Sequence, residues 1–238
     1  MLLLAIDTCD ARGGVSLLRD NDLLASASHT VPEDYSSWLL PAVEGVLAQA
    51  NVRMTDLDGF GVAAGPGSFT GVRIGLTTVK GWAEVYKKPI AAVSRLEAVA
   101  AQAQNGTCYV AASLDAQRGQ VFGAVYQRNS EGLVRLGDEM VIGPGKFVVA
   151  AAELANGERI TWLSTDPNCL ENVPEWQERA KLHEAIEPVP GFLAPMIARM
   201  AAAALAAGGQ TDALHLDANY VRRSDAEIFW KGSVAHAR

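Results

Sequence analysis

GPGSFTGVRIG, Gly65–Gly75, follows directly on the apolar stretch GFGVAA, Gly59–Ala64. A strand-like run that turns through glycines and a proline into a helical pattern is a β-to-α junction. Glycines with Ser68 and Thr70 at such a junction suit a phosphate cradle. They suit equally a tight turn in which the backbone needs positive φ or close approach. A Walker loop requires G-x-x-x-x-G-K-[ST], and from Gly65 or Gly67 neither the second glycine nor the lysine is in place. In a G-x-G-x-x-G fingerprint, Thr70 stands where the third glycine belongs. Neither nucleotide signature is met, and the tight turn is the plainer reading.

Outward from the loop, the spacing predicts a helix over residues 70–86, capped by Ser68 or Thr70. Val72, Leu76, Val79, Ala83 and Tyr86 form one apolar stripe along it. Ile74, Thr78, Gly81 and Val85, with Gly71 and Gly75 beside them, form a second uncharged strip, and Arg73, Lys80, Glu84 and Lys87 keep only a narrow edge. The preceding helix, read over residues 34–51, carries Trp38, Leu39, Leu40, Val43, Val46 and Leu47, and from Ser36 onward its one charge is Glu44. An ordinary surface helix has one apolar face. A second one on each of two neighbours predicts either a protein–protein interface or cover by other parts of this chain.

The remaining elements complete an α/β pattern. LLLAIDT, Leu2–Thr8, reads as a buried strand delivering Asp7 to its end, and Asp20–Asn21–Asp22 as a hairpin turn. PIAAV is a strand, and SRLEAVAAQAQNG a capped helix closed by Asn105–Gly106. From residue 107 the order strand-strand-strand-helix-strand-helix begins again, with strands in TCYVAASLDA, GQVFGAVYQ, LVRLGDEMVI and RITWLS. Helices follow at residues 147–154 and in FLAPMIARMAAAALAAG; residues 165–190 read as irregular. Two lobes are expected, residues 1–106 and 107–238, with the C-terminal tail able to pack back on the first.

The chain has 238 residues and a formal net charge of −7, with no cluster of lysines and arginines. Phosphate neutralisation supplies most nucleic-acid affinity, so direct tight binding of RNA or DNA is disfavoured. Cys9, Cys108 and Cys169 are too far apart for a zinc site and odd in number, which fits a reducing compartment. MLLLAI meets Asp7 too soon for a signal peptide, and MAAAALAAGG is too short to span a bilayer. A cytoplasmic protein without membrane association is expected.

LLLAIDT, LLP, GPGSFTGVRIG, VSRLEAVA, DAQRGQVF and NYVRRSDAE occur in this order from Leu2 to about Glu227. Together they resemble the bacterial tRNA threonylcarbamoyladenosine biosynthesis family TsaB, also called YeaZ; GPGSFTG-x-RIG is the most specific of them. The resemblance implies the two-lobed actin/Hsp70/sugar-kinase-like (ASKHA) fold, each lobe a mixed sheet flanked by helices. It implies a non-catalytic subunit that pairs with the catalytic paralogue TsaD, or with itself when alone, through the two first-lobe helices. With the ATPase TsaE, that pair serves t6A formation at tRNA adenosine 37, this subunit meeting tRNA only indirectly. The interface residues so implied are Trp38, Leu39, Val43, Leu47, Gly71, Arg73, Ile74, Gly75, Thr78, Gly81, Trp82 and Val85, with Arg73 as the polar contact. Gly67, Ser68, Arg222 and Arg223 are candidates for an adenine nucleotide at the subunit junction or for the third component. The chain itself is expected to require no cofactor and no metal.

The catalytic paralogue has a stretch like VNHLEGH, whose histidines bind a metal. Here VSRLEAV places Arg95 and Val99 at those positions, and a guanidinium and an isopropyl group do not ligate metals. Asp7 and Asp115 stand where phosphotransferases of the superfold carry acids. They are relics of a phosphate site or, in the alternative reading, the centre of a phosphotransferase active in its own right with magnesium and ATP. Two positions depart from the family pattern. Asp34 stands where many members have a histidine, and Ala218 where a proline is usual.

Overall fold

The computed structural model describes residues 1–29, 33–104, 107–130, 132–210, 216–219 and 221. Leu2–Asp7 (β1) is buried at every position, as a continuous apolar run is when both faces of its strand are covered. On one side β1 pairs antiparallel with Gly14–Arg19 (β2), which pairs antiparallel with Asp22–Ser28 (β3). On the other it pairs parallel with Gly59–Gly65 (β4), and β4 parallel with Ile90–Ser94 (β5). The sheet order is β3-β2-β1-β4-β5. Two helices of this half, Tyr35–Gln49 (α1) and Phe69–Tyr86 (α2), lie where the spacing predicts them.

The second sheet repeats this plan. Tyr109–Asp115 (β6), Val121–Asn129 (β7) and Gly132–Ile142 (β8) form an antiparallel meander. Ile160–Ser164 (β9) joins β6 in parallel and Ile186–Pro188 (β10) joins β9 in parallel, giving β10-β9-β6-β7-β8. Each strand from β6 onward has the neighbours of its counterpart from β1 onward. The doubling read from element order is thus a doubling of topology, two mixed sheets flanked by helices, and the fold is the expected ASKHA-like one.

Three parts of the reading are revised. The helix after β5, Arg95–Ala100 (α3), is capped by Ser94, whose Oγ accepts from Glu97 N at 3.3 Å, but it is shorter than predicted. Its predicted stop, Asn105–Gly106, lies outside the described residues. The stretch 165–190 is ordered: it holds Asn168–Glu171 (α5), Pro174–Lys181 (α6) and β10. These elements are too short to show a period. Buried Trp176, in edge contact with Trp162 at 5.3 Å, and the buried Arg179–Glu184 pair fix them instead. The third concerns cover. Pro144–Leu154 (α4) lies on β7 and β8, whereas Ala194–Ala206 (α7) packs on β1, β2, β4 and β5 of the first sheet. Its buried face is Ala194, Ile197, Ala198, Ala201 and Ala202. Alanines there let the helix approach so closely that a Cβ at Gly61 would sit 2.8 Å from Ala201 Cβ. Among the described residues no helix is long and apolar enough to cross a membrane.

Candidate partner groove and the filled inter-lobe cleft

The glycine loop packs on the chain's own β1–β2 turn. Ser68 N donates to Cys9 O at 2.6 Å, and Thr8 Oγ1 donates to Gly71 O at 2.6 Å. Ser68 caps α2, its Oγ accepting from Gly71 N at 3.3 Å. A Cβ on Gly67 would run into the Cys9 carbonyl, and one on Gly71 into the Thr8 carbonyl. These glycines are required by close approach of two backbones.

Beneath this junction lies Arg95, the largest departure from a metal or phosphate centre. Its side chain is buried, with Nε 3.0 Å from Asp7 Oδ2, Nη2 2.5 Å from Asp10 Oδ2 and Nη1 3.3 Å from Pro66 O. The other Asp7 oxygen accepts from Cys9 N at 2.9 Å. Burial works against the Arg95 charge, and Asp7 and Asp10 more than reverse it, so the guanidinium is held firmly cationic. The same burial, with Asp7 beside it, pushes the Cys9 thiol well up, which makes it an inert core group. Val99, at the second metal-histidine position, is part of the hydrophobic core.

Asp115 faces this ensemble across a cleft of about 350 Å³ lined also by Asp10, Gly67, Ser68, Arg95 and Arg118. Its carboxylate is engaged in its own turn, accepting from Gln117 N at 2.7 Å and Gln117 Nε2 at 2.8 Å. That turn carries positive φ at Gln117, Arg118 and Gly119. Asp115 lines this cleft, whereas Asp7 is fully buried behind Arg95 and does not, and each is held by neighbouring protein groups. A clamp spans the lobes nearby: Arg12 reaches Asp166 with Nη1–Oδ1 at 3.0 Å and Nη2–Oδ2 at 2.7 Å. Burial raises the Asp166 carboxyl, but the bonds from Arg12 and Thr165 outweigh it and hold it below its usual range.

The open feature is a groove of about 750 Å³ between α1 and α2. Leu39, Ile74 and Trp82 form its apolar lining with Leu40 and Phe69, and Thr77, Thr78 and Gly81 complete one wall. Leu40 is 57% exposed and Phe69 36%. Trp82 packs inward on Phe60, ring centroids 5.7 Å apart. The Arg73 guanidinium lies 3.9 Å over the Phe69 ring, which holds a cation on the groove wall.

Of the residues assigned to the interface, Leu39, Arg73, Ile74, Thr78, Gly81 and Trp82 line this groove. Val43 and Leu47 are buried within the chain's own core, and Gly71 and Gly75 are buried as well. A Cβ on Gly75 would approach Thr8 Oγ1 to 2.6 Å. The two glycines thus serve the β1–α2 contact rather than an outward strip. Trp38 is half-buried in a stack with His29 and Tyr35, ring centroids 5.1 and 5.9 Å away. Val85 is 74% exposed and lies beyond the groove. Leu40, Phe69 and Thr77 line the groove without belonging to that assignment. Leu40 is one of the apolar residues read on the first helix, whereas Phe69 falls in the stretch read as a loop. Gly67 and Ser68 lie at the cleft, whereas Arg222 and Arg223 fall outside the described residues. Ala218 is half-buried and packed against the core, next to Asn219, whose N donates to Ala64 O at 2.8 Å.

Residues 27–222 match the TsaD family profile, described as tRNA N6-adenosine threonylcarbamoyltransferase. The chain is 39% identical to the tRNA threonylcarbamoyladenosine biosynthesis protein TsaB of Bacillus subtilis over 127 residues, 53% of this chain and 56% of that protein. It is 32% identical to TsaB of Escherichia coli over 163 residues, 68% of this chain and 70% of that protein. YeaZ from Pseudomonas aeruginosa superposes with a TM-score of 0.69 at 26% identity, covering 92% of this chain and 99% of that one. With the motifs in order, the fold duplicated and these relatives aligned along it, the chain belongs to the TsaB/YeaZ family.

Proposed function

We propose that this chain is a non-catalytic partner subunit in tRNA threonylcarbamoyladenosine formation, docking through the α1–α2 groove on a TsaD-type paralogue that carries the chemistry. The observation that supports this is the contrast between the two concave sites. Behind the cleft, both oxygens of the fully buried Asp7 are bonded, one to the Arg95 guanidinium and one to Cys9 N. A phosphotransferase would need that acid free for metal-bound phosphate, so Arg95 argues against an activity of the chain's own. The groove, by contrast, presents Leu40, Phe69, Ile74 and Trp82 toward solvent.

The energetics suit a docking surface with several anchors. Full burial of a large apolar side chain is worth about 1.5–3 kcal/mol. Association costs about 4–15 kcal/mol, so one such contact is insufficient, while an apolar cluster with a pre-oriented arginine is adequate. A net charge of −7 assigns the contacts with tRNA mainly to the other subunits, among them a TsaE-type ATPase in the assembled complex.

The test is reconstitution of tRNA threonylcarbamoylation with purified TsaD-type paralogue, TsaE-type ATPase and the threonylcarbamoyl donor. Activity is expected to require this chain, to survive Asp115→Asn in it, and to fail with Gly81→Arg. Turnover of ATP by the isolated chain, lost on Asp115→Asn in a variant that melts like the wild type, would contradict the proposal.

A further inference from the structure

We infer that the C-terminal segment Leu216–Asn219 is a latch on the inter-lobe cleft: its backbone is fixed to the first lobe, its Asn219 side chain grips Glu139 of the second, and release of that grip lets the cleft open.

Among the described residues, side-chain ties join the lobes at both ends of the cleft, and the sheet orders place them there. The cleft lies between the ends of central strands, with Asp10, Gly67 and Ser68 of the first lobe facing Asp115, Ala116 and Gln117 of the second. Toward one side, Arg12 in the β1–β2 turn pairs with Asp166, just after β9. Toward the other, Ser94 Oγ at the end of β5 donates to Glu139 Oε1 of β8 at 2.5 Å. Both β5 and β8 are edge strands of their sheets. α3 packs on strands of both sheets, so it is the axis about which they can part.

The two ties differ in strength. The Arg12 and Asp166 side chains are 43% and 32% exposed, and solvated ion pairs contribute little. The Glu139 side chain is 3% exposed. Its Oε2 accepts from Asn219 Nδ2 at 2.7 Å, and its Oε1 accepts from Ser94 and, at 3.4 Å, from Arg135 Nη1. The like charge of Glu97 stands beside it, so Glu139 depends on each of these donors. Ser94 ends a strand of the first sheet and Arg135 shares a strand with Glu139. Asn219 is the donor the chain can withdraw, because it is carried by a segment outside both sheets. That segment is seated on the first lobe: Leu216 is buried in the core, and Asn219 N donates to Ala64 O at 2.8 Å. Gly65 makes room for it, since a Cβ there would lie 2.9 Å from Asn219 O. One residue thus has its backbone on the first lobe and its side chain on the second.

Ala116 is buried in the cleft wall, so Ala116→Cys sets a thiol there that a bulky reagent reaches only when the cleft opens. The experiment follows reaction of that thiol with fluorescein maleimide in the full chain, read peptide by peptide with the exposed Cys108 as reference. It compares Ala116→Cys alone with the same chain carrying Asn219→Ala or Asn219→Asp. Amide exchange of β6 in the same samples reports global unfolding. Asn219→Ala is expected to speed labelling about tenfold, the effect of one lost hydrogen bond to a carboxylate. Asn219→Asp should speed it further by setting a third carboxylate beside Glu97 and Glu139, with β6 exchange unchanged in both. Labelling at one rate in all three chains overturns the inference. So does faster labelling matched by faster β6 exchange, because Asn219 would then support only overall stability.

Discussion

Arg95→Leu should be among the most damaging single changes in the first lobe. Arg95 is 1% exposed and Asp7 0%. Removing the guanidinium leaves the Asp7 carboxylate fully buried with Cys9 N as its remaining hydrogen-bond partner, and takes from Asp10 its closer cation, leaving Arg12 Nη2 at 3.8 Å. Breaking a buried ion pair from one side costs about 3–5 kcal/mol, because a charge stays behind without compensation. Against a total stability of about 5–15 kcal/mol that is a large fraction. For a chain of this size each kcal/mol shifts Tm by about 2–4 °C, so a fall of roughly 6–20 °C is expected. Adding Asp7→Asn to Arg95→Leu should recover part of the loss, since the stranded charge is then removed. Arg95→Lys should fall between, keeping the charge but losing the fork that also reaches Pro66 O. Thermal melts with parallel urea titrations decide it. An Arg95→Leu protein within about 1 kcal/mol of the wild type, or a double variant no better than the single, would refute the idea that Arg95 compensates the buried charge of Asp7.

Other expected outcomes follow from the same contacts. Gly71→Ala should destabilise, since its Cβ meets the Thr8 carbonyl, whereas Gly81→Ala should stabilise by about 0.5–1 kcal/mol, because that site is open and alanine is the better helix former; urea midpoints moving the same way for both would contradict the geometry. Glu97 is raised by partial burial and then by Glu139, so its ionisation is penalised in the folded state. The stability it contributes is present below the usual carboxylate range and lost as pH rises through its raised pKa. Glu97→Gln should therefore gain on the wild type as pH rises from the carboxylate range and then stay level, and a gap independent of pH would rule this out. Asp166 is shifted the other way, its burial outweighed by Arg12, so Asp166→Asn should lose stability at neutral pH and approach the wild type in acid. Unfolding titrations across the carboxylate range read both.

Much of the fold was legible because local and global signals agree. β1 is one apolar run ending in an acid, β2 and β3 meet at an Asp-Asn-Asp turn, and the element order repeats. Residues 165–190 were not legible, since α5, α6 and β10 are held by pairings between distant residues, such as Trp162 Nε1 to Glu184 Oε2 at 2.7 Å, which no short-range period reports. The destination of α7 was equally hidden: its alanine face says that something lies close, not which sheet. At the site, the sequence distinguished an uncharged α2 but not the direction each glycine faces. Gly75 and Gly81 look alike as letters, yet one lies against Thr8 and the other has nothing within 4 Å. Arg95 was legible as a non-ligand, but its role as the partner of Asp7 and Asp10 depends on contacts spanning 88 and 85 residues.

The central claim is that the α1–α2 groove is the docking surface, and Gly81→Arg addresses it most directly. Gly75→Arg would confound folding with binding, since its side chain must displace Thr8, whereas a side chain at Gly81 enters open space and fills the groove. The measurement is the sedimentation mass of the wild type and of Gly81→Arg, each alone and mixed with the TsaD-type paralogue, with melting curves to show that both are folded. The account predicts a heterodimer for the wild type and none for a Gly81→Arg protein that melts like it. A folded Gly81→Arg chain that still forms the heterodimer would contradict it.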